Sequence, residues 1–170
     1  MDIELKKLSI TDGVDIYKML QEIPNNENGY INSVNGMKFE EFKEWLIKDD
    51  NLSKSTELID GWKVPSSTYW LYIDGRPVGV GKIRHFLTEK LKEEGGHIGY
   101  AIRPSERNKG FGRILLKALI CEASLIGIPK VLLTIRKDNI YSFKVAMACG
   151  GGVENITDIR YFIWINCNQK

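Results

Sequence analysis

Arg107-Asn108-Lys109-Gly110-Phe111-Gly112-Arg113 lies between an apolar stretch ending at Ile102 and the run Ile114-Leu115-Leu116. Two readings compete for it. Glycines one residue apart, among basic side chains, make a serviceable turn into a helix. Standing between a strand and a helix, the same pair also removes the side chains that would hold an anion away from the backbone. A helix opens with up to four unpaired N–H groups and about half a positive charge, and a phosphate satisfies both.

The flanks supply that context. Upstream, in His97-Ile98-Gly99-Tyr100-Ala101-Ile102-Arg103-Pro104, the proline keeps Arg103 extended and ends a strand. Downstream, between Gly110 and Gly127, Phe111, Ile114, Leu115, Ala118, Leu119 and Ile126 form a helical stripe, with Arg113, Lys117 and Ser124 on another face. Familiar phosphate loops do not fit. There is no GxxxxGK[ST], and Leu115 stands where a dinucleotide fingerprint needs its third glycine.

Further out, the pattern alternates strands and helices. Ile3, Leu5 and Leu8 suggest a first strand, and Thr11-Asp12 is a candidate cap for a helix reaching about Ile23. Asn25–Met37 is rich in Asn and Gly and is expected to be a loop. Phe39, Phe42, Trp45, Leu46 and Asp49 follow helical spacing over about Lys38–Lys48. Asp74-Gly75 predicts a hairpin between strands at Thr68–Ile73 and Pro77–Phe86. A charged loop, TEKLKEEGG, leads into the fourth strand at His97. Lys130–Arg136 reads as the fifth, and Asn139 caps a helix to Ala148 that Gly150-Gly151-Gly152 stops. Val153–Ile156 and Arg160–Ile165 complete the set.

At 170 residues and 43% hydrophobic composition, residues 1–170 suit one domain with a sizeable core. Lys and Arg total 24 against 22 Asp and Glu, a net +2 that gives no reason to expect a nucleic-acid partner, so any anion site must be local. The three cysteines, Cys121, Cys149 and Cys167, show no CxxC spacing, so neither a disulfide framework nor a metal site is expected, and a reducing cytoplasm fits. No stretch approaches the roughly 18 apolar residues of a membrane span, and MDIELKKLSITD lacks a signal-type apolar segment.

RNKGFG matches the Q/R-x-x-G-x-G/A signature of the GNAT superfamily of N-acetyltransferases, placed after the fourth strand and opening the third long helix. With VPSSTYWLYIDGRPVG, GGHIGYAIRPSERNKGFG and DNIYSFKVAMACGGG, nearly the whole chain resembles a bacterial subgroup of that family. The resemblance implies an α/β fold with a mixed, mostly antiparallel sheet splayed between its fourth and fifth strands. It implies acetyl-CoA as donor, with the pyrophosphate on the backbone amides of Arg107, Asn108, Lys109, Gly110, Phe111 and Gly112 and with Arg113 nearby. The pantetheine arm falls beside Tyr100, Ala101 and Ile102, with Asn139 and Ser142 touching it; a close-packed strand and a helix cap are the plain alternatives for these two groups.

The implied reaction is direct transfer of acetyl to a primary amine of a small molecule or peptide in a ternary complex, without a metal. A non-catalytic acyl-CoA-binding or regulatory module is the alternative, and a homodimer stays open. His97 occupies a position where many members carry a glutamate base, and a strand-end structural role competes with that assignment. The tyrosine that many members use as acid, seven residues after the helix-opening Asn, is replaced by Ala146. The family's variable acceptor wall corresponds to the Asn25–Met37 loop, where Glu22, Glu27, Asn28 and Tyr30 are candidates to meet the amine.

Overall fold

Strands β4 (Ser66–Ile73) and β5 (Arg76–Arg84) form the hairpin that Asp74-Gly75 announces. Both turn residues are left-handed, at φ 48° and 75°, as a turn matching the strands' right-handed twist requires. The computed structural model describes residues 1–57 and 61–168. β1 (Ile3–Lys7) pairs with one edge of this hairpin and β6 (Ile98–Ile102) with the other, giving an antiparallel sheet in the order β1-β4-β5-β6. A second antiparallel sheet has the order β7-β9-β8, from β7 (Lys130–Arg136), β8 (Gly152–Ile156) and β9 (Arg160–Asn166).

The expected splay falls between β6 and β7. Their neighbouring ends are stitched together: His97 N–H donates to Leu132 O at 2.8 Å, Leu132 N–H donates to His97 Nδ1 at 2.9 Å, and Gly95 N–H donates to Thr134 Oγ1 at 2.8 Å. Beyond His97 the two strands share no ladder, and a wedge opens.

Helices cover both faces. α4 (Phe111–Leu125) and α5 (Ile140–Ala148) pack Leu115, Leu116, Leu119 and Ala146 against Val131 and Ile163. α4 lies close on β5 because Gly81 has no side chain; a Cβ there would run into Leu119. On the other face, α1 (Val14–Glu22) and α2 (Phe39–Lys54) bury Ile16, Met19, Phe42 and Leu46 around Trp70. Each such side chain contributes about 1.5–3 kcal/mol.

Four local expectations are revised. Asp12 does not cap α1, which begins after Gly13; its carboxylate accepts from Ser9 N–H at 2.8 Å and from the Trp70 indole at 2.7 Å, because a buried indole N–H needs a partner. α2 continues to Lys54, carrying Asp49 into the interior, where it accepts from Thr68 Oγ1 at 2.5 Å and Lys82 Nζ at 3.1 Å. The Asn25–Met37 loop contains a small hairpin, β2 (Asn26–Glu27) and β3 (Tyr30–Ile31), turning on Asn28-Gly29 at φ 51° and 83°. The charged loop before β6 contains α3 (Glu89–Glu93), whose first turn is capped by Thr88 Oγ1 accepting from Leu91 N–H at 3.2 Å.

Candidate active site

The glycine loop enters α4 through Gly110, left-handed at φ 82°. Asn108 is left-handed too, at φ 62°. Among the described residues, no protein acceptor takes the backbone N–H groups of Asn108, Lys109, Gly110, Phe111 or Gly112. Gly112 is different from Gly110: its backbone is not left-handed, and a Cβ there would make ordinary contacts with Tyr100 and Val145 at 3.8 Å and Ile102 at 4.0 Å. Neither backbone strain nor close packing demands glycine at 112, and the space it leaves opens toward side chains that line the same cleft. Asn108, Gly110, Phe111 and Gly112 line a cleft of about 510 Å³ together with Tyr100, Ala101, Ile102 and residues of α5.

The basic side chains of the loop are largely spent. Arg107 makes a two-pronged pair with Glu27, at 2.8 and 2.6 Å, and its Nε donates to Ile102 O at 3.0 Å. Lys109 donates to Glu106 at 2.7 Å, a carboxylate that Arg76 also holds at 2.8 Å. Lys109 does not line the cleft. Arg113 and Lys144, both exposed cleft residues, have no ion-pair partner among the described residues and supply the local positive charge with the α4 N-terminus.

Along the open edge of β6, the hydrogen bonds Arg84 N–H to His97 O and Arg103 N–H to Val78 O set the parity of the ladder. Gly99 and Ala101 therefore turn their backbone groups toward β5, while Ile98, Tyr100 and Ile102 turn theirs into the wedge. Of the three strand positions expected to meet an extended amide ligand, Tyr100 offers both backbone groups there and Ile102 its N–H, since Arg107 Nε already holds the Ile102 carbonyl; Ala101 turns its backbone toward β5.

A second cavity, of about 460 Å³, lies on the other side of the wedge. It shares Asn28, Tyr100, Asn139 and Ser142 with the first. Tyr30 lines it, its ring resting over Gly99, where a Cβ would sit 3.4 Å from Cδ2. Asn28 reaches both cavities, whereas Glu27 lines only the first, held by Arg107. Glu22 belongs to neither: it pairs with Arg103 at 2.5 Å and accepts from Ser105 N–H at 2.6 Å.

At the junction, Tyr100 Oη is buried without a hydrogen-bond partner. The Ser142 hydroxyl is near enough to influence it but not in bonding geometry, and burial pushes the phenol pKa up to about 12. Asn139 caps α5, its carbonyl oxygen accepting from Ser142 N–H at 3.2 Å and its amide donating to Ser142 Oγ at 2.9 Å. The Ser142 hydroxyl proton stays available.

His97 has a different environment from the one a base needs. Its Nδ1 lone pair is committed to Leu132 N–H, so in the neutral ring the proton sits on Nε2. Burial foremost, then the Arg84 charge, pushes its pKa down to about 4, and it lines neither cavity. Position 146 is fully buried beneath Gly151, so nothing at that site reaches the wedge. Tyr141, Lys144 and Val145 also line the first cavity; only their i, i+3, i+4 spacing on the helix that Asn139 opens hinted at it.

A family model for the acetyltransferase (GNAT) family matches residues 35–150. No curated protein matches the chain in sequence. Among solved structures, the ribosomal L7/L12 alpha-N-protein acetyltransferase RimL, in complex with coenzyme A, is 15% identical with a TM-score of 0.71, over 96% of this chain and 93% of that one. An N-acetyltransferase from Staphylococcus aureus Mu50 is 13% identical, TM-score 0.67, over 99% and 100%. YncA of Salmonella typhimurium, a putative acetyltransferase solved with acetyl-CoA, is 14% identical, TM-score 0.65, over 99% and 95%. Among the described residues no helix is long and apolar enough to cross a membrane.

Proposed function

The chain belongs to the GNAT family of acetyltransferases, and from that premise we propose that it moves acetyl from acetyl-CoA to a primary amine by direct attack. The observation that carries this reading is the meeting of two cavities at Asn28, Tyr100, Asn139 and Ser142. One cavity has the free amides and the open strand edge that a pyrophosphate and an extended amide arm need; the other admits an acceptor. The space over Gly112 accommodates such a ligand, and Arg113 and Lys144 neutralise its phosphates.

In this reading the amine lone pair forms the C–N bond at the acetyl carbonyl, the C–S bond breaks, and the ammonium proton leaves to water in the second cavity. His97 takes no part, since its lone pair is occupied. Tyr100 takes the place left by Ala146: the residue lines both cavities, and its buried, unpartnered hydroxyl turns to donate a hydrogen bond to the departing sulfur. With the phenol near 12 and a thiol near about 8.5, the proton stays mostly on the tyrosine, so it acts as a donor rather than a full acid.

Thiol release from acetyl-CoA across a panel of primary amines tests the reading, with CoA binding followed by calorimetry. Turnover with at least one amine is expected. CoA binding without turnover of any amine would leave a binding module instead.

A further inference from the structure

Five cations line the acceptor cavity, Lys63, Lys82, Arg84, Arg136 and Arg160, against one carboxylate, Glu94. Lys82 is matched to Asp49 at 3.1 Å, Arg136 to Asp138 at 2.8 Å, and Arg160 to Glu94 at 2.5 Å. Arg84, the last residue of β5, is not. Its Nη1 donates to the carbonyls of Gly95 and Gly96, at 3.2 and 3.1 Å, and no carboxylate among the described residues approaches it. Among the described residues Nε and Nη2 have no acceptor, and burial pulls the guanidinium pKa down.

A partly buried guanidinium held on one side by backbone and unmatched on the other is poised for a two-pronged anion. Tyr30, on the same wall, has its phenol near enough to Arg84 and Asp49 to feel both charges. Its ionisation is opposed by burial first and Asp49 second, so it remains a donor.

We propose that the acceptor is an amine that also carries a carboxylate or phosphate, and that Arg84, with the Tyr30 hydroxyl beside it, receives that anion. This rests on the acetyl-transfer reading and narrows it. Register places Arg84 opposite His97 and the junction at Tyr100, three residues along β6; at about 3.3 Å per residue the amine and the anion are separated by roughly 10 Å. An α-amino acid is too short for both contacts. A second ammonium at the same distance, as in a linear polyamine, meets repulsion instead.

Matched probes separate these cases: 6-aminohexanoate against 6-aminohexanamide, 6-aminohexyl phosphate against 6-aminohexan-1-ol, leucine against leucinamide, and spermidine. For at least one of the two long pairs, the anionic member should show at least a tenfold higher kcat/KM than its neutral twin, and which pair responds tells carboxylate from phosphate. In Arg84→Gln that advantage should vanish, and in Arg84→Lys, which keeps charge without the fork, it should fall between. CoA affinity reports that each variant is folded. Twins within twofold of each other in both long pairs, or an advantage that survives in folded Arg84→Gln, overturn the proposal. If CoA binds but no amine is acetylated, the acetyl-transfer reading fails by itself. Calorimetry of the same pairs on CoA-loaded protein then decides this one: an Arg84-dependent preference for the anion supports it, and no preference overturns it.

Discussion

On the proposed reading, the two cavities recognise their ligands with different parts of the chain. The donor cleft offers backbone: free amides from Asn108 to Gly112 and the open edge of β6, drawn from short segments close in sequence. The acceptor cavity offers side chains, Tyr30, Lys82, Arg84, Arg136 and Arg160, brought from distant segments. A backbone site depends on where glycines let a ligand approach, and it survives extensive change of other residues. A side-chain site is rewritten by any one of them. One protein can therefore carry a readable donor site and an individual acceptor site.

Changes at three positions test that division, beginning at the point where the cavities meet. Tyr100→Phe should lower kcat by about 100-fold, the scale of a positioned proton donor, with CoA affinity within twofold of wild type. Because the lost hydroxyl has no partner, thermal stability should not fall. Unchanged kcat would remove Tyr100 from the chemistry and make the junction a mere boundary.

Gly112→Glu should weaken CoA binding at least tenfold, about 1.4 kcal/mol, by filling the cleft with a like charge. Its Cβ has room within the protein, so the fold should be retained. A folded variant with undiminished CoA affinity would show that the donor cleft is not a backbone site.

The smallest effect on rate is expected at His97, outside both cavities. His97→Gln should leave the shape of the pH–rate profile between pH 6.5 and 9 unaltered. Its effect belongs to stability. The folded pKa is near 4 against about 6.5 in the unfolded chain, so on acidification the unfolded state takes up the proton first. The stability His97 confers is whole above pH 6.5 and is lost as pH falls toward 4. Thermal midpoints of wild type and His97→Gln should therefore converge over that window. A profile that loses an acid limb near neutrality in the variant would restore His97 as a base.

The same division explains what could be read before the structure. RNKGFGR was legible as a loop from strand to helix because that setting depends on local order, a strand before it and an amphipathic helix after it. Asp74-Gly75 was legible for the same reason. Asn28-Gly29 carries an equal turn signal, but its strands are two residues each, too short to show alternation. For His97 both a titratable group and a strand-end structural role were legible, but not the partner that decides between them, since Leu132 lies 35 residues away. Arg84 in a strand reads as a solvent-facing cation; only the arrival of Gly95, Gly96 and Tyr30 turns it inward. Tyr100 follows its strand neighbours in the sequence, and only the buried, unpaired hydroxyl sets it apart.

The Arg107–Glu27 pair fastens the hairpin that bears Asn28 and Tyr30 to the loop that meets the donor. On the proposed reading, a cofactor in that cleft would remove water from the pair and strengthen it, steadying the wall the second ligand must find. Such a linkage predicts an order of events: the thioester enters first and the free coenzyme departs last. Initial-rate patterns should show CoA competing with acetyl-CoA and not with the amine, and Glu27→Gln should loosen that order toward random addition.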